Sequence, residues 1–146
     1  MKIGIANDHR GYKLKTKIIP YLNKKGYEVE DYGTFSTESV DYSDYGIILG
    51  EKVRDKEVDF GIAICGSGIG ISIACNKVKG VRCAKVNNAK EARITRIDNN
   101  ANVIALSEKL HTFEAKDIID AFLTTEYKEI ERFQRRIDKI SMYEEK

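Results

Sequence analysis

Short apolar runs punctuate the chain at Lys2–Ala6, Phe60–Ile64, Val81–Val86 and Val103–Leu106, and an alternating run at Tyr27–Asp31 adds a fifth. Each has the length of a strand, and the segments between them carry apolar residues at helical spacing. Leu14, Ile18, Tyr21 and Leu22 define a helix over Tyr12–Lys25, interrupted by Pro20 and stopped by Gly26. A second starts at Asp41 and runs through Tyr45, Ile48, Leu49 and Val53, and a third covers Ile69–Lys77 ahead of Gly80. Asn88 caps a fourth through Ala89, Ala92 and Ile97, and Thr112 caps a fifth through Ala115, Ile118, Ile119 and Phe122. A last helix over Tyr127–Met142 puts Ile130, Phe133, Ile137 and Ile140 on one face. Strands alternating with helices predict an α/β fold: a five-stranded parallel sheet covered on both faces, with right-handed crossovers and an extra C-terminal helix. No linker or repeat divides the chain, so residues 1–146 read as a single domain.

Composition narrows the function classes. The formal net charge is +2 over 146 residues, with charges interleaved and no long basic run, which speaks against nucleic acid as partner. The three cysteines, Cys65, Cys75 and Cys83, form no C-x-x-C pair and no zinc spacing. An odd count predicts no disulfide scaffold and a reducing, cytoplasmic setting. The first apolar run is too short for a signal peptide, and no window approaches a membrane span.

The stretch Asp59–Ala74 stands apart. An apolar strand ends in Cys65, then Gly66, Gly68 and Gly70 alternate into a helix. Such a loop presents backbone N–H groups at a helix N-terminus, a setting that favours an anion or a developing oxyanion. It is neither the dinucleotide G-x-G-x-x-G pattern nor a P-loop, since no Gly-Lys-Ser/Thr follows. A free cysteine is ordinarily a small buried hydrophobe, and Cys75 and Cys83 read that way. Cys65, at a strand end beside this loop, reads as a reactive group, either nucleophile or general base. Ser67 within the loop faces a substrate hydroxyl or makes only a local turn bond.

Other candidates follow the strand ends. Asp8 and His9 close the first strand, on the edge where open α/β sheets bind ligands. Asp8 either caps a helix or orients sugar hydroxyls; His9 is either an ordinary surface histidine or a phosphate ligand. Arg10 reads as solvent-facing. Asp98 and Asn99 end a helix before the fifth strand, where Asn99 either caps the turn or donates to substrate. Arg132 and Arg136 share a helix face as its wet side or as a phosphate clamp.

Taken together, Asp8-His9, Asp41-Tyr42, Cys65-Gly66-Ser67-Gly68-Ile69-Gly70-Ile71, Asn76-Lys77, Gly80-Val81-Arg82, Asn99, Asn102-Val103 and the spaced Arg132 and Arg136 resemble the ribose-5-phosphate isomerase B and galactose-6-phosphate isomerase family over nearly the whole length. The resemblance implies a Rossmann-like three-layer α/β/α sandwich, a homodimer or homotetramer with sites shared between subunits, no metal and no cofactor. It implies interconversion of aldose and ketose phosphates through a cis-enediolate. Cys65 is then the base between C1 and C2, Ser67 moves protons among the oxygens, and the amides of Gly66, Gly68, Ile69 and Gly70 hold the enediolate. Asp8 and Asn99 bind sugar oxygens. His9, Arg132 and Arg136 bind phosphate, the arginines in the partner subunit's site.

The chain departs from the family where many members carry a ring-opening histidine before the asparagine; here that residue is Asp98. Ring opening then falls to a protonated Asp98, to another group or to solution. The usual Gly-x-Arg becomes Ser107-Glu108-Lys109, with Lys109 in the arginine's place near the site. The leading expectation is a ribose 5-phosphate/ribulose 5-phosphate isomerase. The alternatives are an isomerase of a hexose 6-phosphate such as allose or galactose 6-phosphate, a non-catalytic sugar-phosphate-binding protein, and a flavodoxin-like nucleotide module that fits only by fold rhythm.

Overall fold

The structure, a computed structural model, describes residues 1–146. Its strands are β1 (Lys2–Asn7), β2 (Glu28–Asp31), β3 (Phe60–Cys65), β4 (Cys83–Lys85) and β5 (Val103–Ser107). Its helices are α1 (Tyr12–Lys24), α2 (Tyr42–Arg54), α3 (Ile69–Asn76), α4 (Ala89–Asn99), α5 (Thr112–Thr124) and α6 (Glu131–Glu144), with a 3₁₀ turn at His9–Gly11. All pairings are parallel, in the order β2-β1-β3-β5-β4. The expected Rossmann-like three-layer α/β/α sandwich with its extra C-terminal helix is present. Pro20 sits inside α1 without ending it, and Gly26, at φ +92°, follows its end. Asn88 caps α4 as expected, its side chain accepting from Glu91 N–H at 2.9 Å. The last two strand–helix boundaries moved: β4 is shorter than its apolar run, and α6 starts only at Glu131.

Strand alternation sorts the core into two unequal faces. Ile3, Ile5, Ile62, Ile64, Ile104 and Leu106 point to one side, under α1 and α5, and meet Leu14, Ile18, Ile118 and Phe122. Ala6, Ala63, Cys65 and Ala105 point to the other, under α2 and α3. Small residues on that second face let its helices come close. A Cβ at Gly46 would lie 2.8 Å from the Ala74 Cβ, and one at Gly50 2.8 Å from Val78 Cγ2. Cys65 therefore ends its strand on the tightly packed α2/α3 side, directly below the N-terminus of α3. No helix is long and apolar enough to cross a membrane.

Candidate active site

β3 ends at Cys65, and the turn Gly66–Gly68 delivers the chain to α3. Cys65 is buried, and its Sγ accepts the Gly68 N–H at 3.2 Å. Gly68 is the residue that makes this turn possible. Its φ is +80°, and a Cβ there would meet the Leu106 carbonyl carbon at 2.9 Å. Gly70 answers a different need, because a Cβ would press into the Tyr42 ring at 2.7 Å. Gly66 meets nothing closer than Glu108 Oε2 at 3.5 Å, so its missing side chain keeps the cleft open.

The neighbouring strand fastens the loop from the other side. Glu108 N–H donates to the Cys65 carbonyl at 3.0 Å, and Ser107 Oγ donates to the Gly66 carbonyl at 2.8 Å. Ser107 Oγ also accepts the Lys109 N–H at 3.1 Å. Ser67 is exposed, and its Oγ accepts the Ile69 N–H at 3.1 Å, the local turn bond foreseen as one of its two readings. That bond leaves the hydroxyl proton free to donate.

At the end of β1, Asp8 shows the first of its two readings, the cap. Its Oδ1 accepts from the amides of Arg10 at 2.9 Å and Gly11 at 3.1 Å, capping the 3₁₀ turn. Oδ2 makes no hydrogen bond in the protein and is left for a ligand. A Cβ at Gly11 would lie 2.6 Å from the Ile64 carbonyl oxygen, so only glycine lets this turn lie against β3. His9 is half-buried, with Nδ1 accepting the Val40 N–H at 3.2 Å.

A cleft of about 600 Å³ opens over this strand edge, lined by Arg10, Gly66, Ser67, Lys85, Ser107 and Lys109, with Glu114 at its border. Lys85 comes from the end of β4 and Lys109 from beyond β5. Three basic groups in one polar cleft suit a phosphorylated ligand. Arg10, expected to face only solvent, reaches over the cleft and makes an ionic contact with Glu108. Lys85, Ser107 and Glu108 escaped the sequence reading as site residues. Their signal was their place at the carboxyl ends of β4 and β5, the same rule that singled out Asp8 and Cys65.

The remaining candidates lie elsewhere in this chain. Asp98 and Asn99 end α4, ahead of β5, and so belong to the opposite edge of the sheet. The length of β5 alone separates the two edges by about 13 Å. Asn99 Oδ1 accepts from Thr95 Oγ1 at 3.2 Å, and its carbonyl accepts from Arg82 Nε at 2.9 Å. Arg132 and Arg136 are exposed on α6, which packs beside α4, and Glu144 at the end of that helix accepts the Gly80 N–H at 2.7 Å. One chain thus gathers Asp8, His9, Cys65, Ser67, the loop amides and Lys109 on one edge and Asp98 and Asn99 on the other, with Arg132 and Arg136 apart on the helix beside α4. No group of three or more His, Cys, Asp or Glu side chains lies close enough to hold a metal ion.

A parallel sheet with a thiol and a glycine turn at the end of its central strand, beside a basic cleft, defines a site for chemistry on a small anionic substrate. The comparisons specify the class. The family model described as Ribose/Galactose Isomerase matches residues 3–140. The putative sugar phosphate isomerase YwlF of Bacillus subtilis is 44% identical over 148 residues, covering 100% of this chain and 99% of that protein. Ribose-5-phosphate isomerase B of Escherichia coli is 40% identical, covering 99% and 97%. The structure of ribose-5-phosphate isomerase B from Clostridium thermocellum superposes with a TM-score of 0.96 at 48% identity, covering 99% of this chain and 98% of that one. The chain belongs to the ribose/galactose isomerase family, is an isomerase of that family, and is most like its ribose-5-phosphate isomerase B members.

Proposed function

We propose that this chain interconverts ribose 5-phosphate and ribulose 5-phosphate through an enediolate, with Cys65 as the base. The observation that carries the proposal is the Cys65 sulfur accepting the Gly68 amide in the turn whose next residues, Gly66 and Ser67, line a cleft with Arg10, Lys85 and Lys109. The C2 proton of the open aldose is acidic only because the carbonyl can take the resulting charge. A catalyst must therefore supply a positioned base and donors to that oxygen together. The Cys65 thiolate takes the C2 proton and returns it to C1. The amides of Gly66 and Gly70 are open to donate to the enediolate oxygens where the glycine turn enters α3, and those of Gly68 and Ile69, which hold Cys65 Sγ and Ser67 Oγ in the free protein, join them by sharing or exchanging those bonds. Ser67, with its hydroxyl proton free, passes a proton between them. Asp8 Oδ2 accepts from a sugar hydroxyl.

The remaining groups arrive from a second copy. We propose a homodimer, alone or paired into a tetramer, in which Asp98, Asn99, Arg132 and Arg136 of one subunit complete the cleft of the other. Exposed Ile69 and Ile73 along α3, beside the cleft, favour this arrangement, because burying them against a partner removes apolar surface from water. In the completed site the two arginines, His9 and Lys109 hold the phosphate and Asn99 holds a sugar oxygen. Asp98 carries the proton of ring opening, its carboxylate taking the C1 hydroxyl proton and returning it to the ring oxygen.

The proposal is tested with the wild type and C65A on a panel of pentose and hexose phosphates in deuterated water. The wild type is expected to turn over ribose 5-phosphate with the highest kcat/KM and to place solvent deuterium on the carbon skeleton. C65A is expected to do neither. Ketose formation by C65A near the wild-type rate sinks the base assignment. A preference for a hexose 6-phosphate moves the substrate, and exchange with no sugar phosphate makes the protein a binder.

A further inference from the structure

His9 is held by the main chain of a segment distant in sequence, and the hydrogen bond that holds it determines which ring nitrogen carries the proton. Val40 N–H donates to Nδ1 at 3.2 Å. A backbone amide has no acceptor to offer in return, so Nδ1 presents its lone pair and the ring proton resides on Nε2. Nε2 has no partner within the protein. The buried side-chain nitrogen and oxygen atoms without a hydrogen bond are Asn7 Oδ1 and Glu108 Oε2, the latter in ionic contact with Arg10, so Nε2 is not a buried orphan. It follows Asp8 directly on the strand edge that carries Cys65.

Val40 lies two residues before α2, in the segment that joins β2 to that helix. The segment between β2 and α2 is fastened at its start, where Asn7 N–H donates to the Gly33 carbonyl at 2.7 Å and Thr34 N–H to the Asn7 carbonyl at 2.7 Å. The buried Lys15 ammonium adds bonds to the Thr34 carbonyl and, at 3.0 Å, to Asp31 Oδ1. At its other end the segment runs straight into α2, with Asp41 at the N-cap. A second proton on the imidazole would sit on Nδ1 and point at the Val40 N–H, donor against donor.

We infer that His9 meets the phosphorylated sugar through Nε2–H, its tautomer set by the Val40 amide. This rests on the isomerase reading above for the identity of the ligand, but the tautomer belongs to the free protein. The division of labour then changes. Positive charge for the phosphate comes from arginine and lysine side chains, and His9 contributes direction: one N–H whose ring is oriented by the Val40 amide.

The chain has two histidines, His9 and His111, so its imidazole ¹⁵N spectrum is small enough to read directly. Spectra of the uniformly labelled wild type and of H111Q assign the His9 signals. The expected pattern at neutral pH is an unprotonated Nδ1 and a protonated Nε2, kept when ribose 5-phosphate or inorganic phosphate is added. A proton on Nδ1 in the free protein, or a doubly protonated ring with either ligand, overturns the inference. Kinetics give an independent readout, because a glutamine amide nitrogen reaches the place of Nε2 and an asparagine nitrogen that of Nδ1. H9N is expected to lose roughly tenfold in kcat/KM, as for one lost hydrogen bond, and H9Q to recover most of it. H9K restores a charge without the placed N–H and is expected to stay as low as H9N. Recovery by H9K and not by H9Q would show that charge is what the site needs. If the wild type isomerises no sugar phosphate, the functional reading fails, and the spectrum of the free protein still decides the tautomer.

Discussion

The proposed dimer builds each site from two chains, with Cys65 from one and Arg136 from the other. C65A and R136A therefore damage different contributions to the same site. A two-fold dimer of this kind has two such sites. Either variant alone breaks both of its sites. A dimer of one C65A chain and one R136A chain has one site carrying both lesions and one carrying neither. Random pairing of equal amounts makes about half of all dimers mixed, and half of their sites intact, so about one quarter of wild-type activity returns. Both variants should fold, since Arg136 is exposed and the Cys65 change removes one small atom from a packed site. The assay co-expresses the two variants with different affinity tags, isolates the doubly tagged species, and measures turnover of ribose 5-phosphate per chain. The doubly tagged dimer is expected at about half the wild-type specific activity, with each parent near background. Activity in the mixture no higher than the mean of the two parents would refute the shared site, because Cys65 and Arg136 would then serve one chain independently.

Three further outcomes follow from particular contacts. G68A places a side chain at φ +80° and 2.9 Å from the Leu106 carbonyl carbon, and is expected to destabilise the fold by about 2–3 kcal/mol in urea titration and to abolish turnover, because the amide under Cys65 Sγ must shift. R96M removes a buried guanidinium that donates to the Ala101 carbonyl at 2.7 Å and to Asn100 Oδ1 at 2.8 Å; loss of about 3 kcal/mol should lower Tm by roughly 10 °C with no change in KM for the surviving folded protein. The hydrogen bond with Cys75, and then burial, hold the Cys83 thiol well above its ordinary range, so mass spectrometry at pH 8 should find it alkylated by iodoacetamide more than about tenfold slower than free cysteine.

The two edges of the sheet were already separable in the chain order. In a parallel sheet, residues that follow a strand and residues that precede one must lie at opposite ends, and Cys65 follows β3 while Asn99 precedes β5. The glycine loop was legible for a similarly local reason: a strand end, a thiol and alternate glycines are consecutive. What was not legible is which strand lies beside β3. The chain leaves β3, crosses to the edge at β4 and returns to place β5 between them. That crossover makes Ser107 and Glu108 the partners of Gly66 and Cys65, a pairing that spacing cannot reveal. Likewise the Val40–His9 bond joins residues |i−j| = 31 apart through a segment with no periodicity, whose path is dictated by Lys15 and Asn7.

Asp98 offers a way to separate ring opening from proton transfer. Ribose 5-phosphate closes a five-membered ring through its O4, so its aldehyde must be released before C2 becomes acidic. Ribulose 5-phosphate has its O5 phosphorylated and stays open, so removal of a C1 proton from the ketose requires no ring chemistry. If the partner's carboxyl group opens the ring, D98N loses the proton carrier for that step and leaves the thiol and its amide cradle intact. The two lesions then separate in one experiment. In deuterated water D98N is expected to keep exchanging the C1 hydrogen of ribulose 5-phosphate while ketose formation from ribose 5-phosphate falls by at least tenfold, the scale of one general acid. C65A is expected to lose both. Equal loss of exchange and turnover in D98N would place Asp98 in binding, and full turnover would leave ring opening to another group or to solution. The substitution is conservative in shape, and Asp98 makes no ion pair whose loss would unsettle α4. A change in exchange relative to turnover therefore reports on the chemistry of the site rather than on its folding.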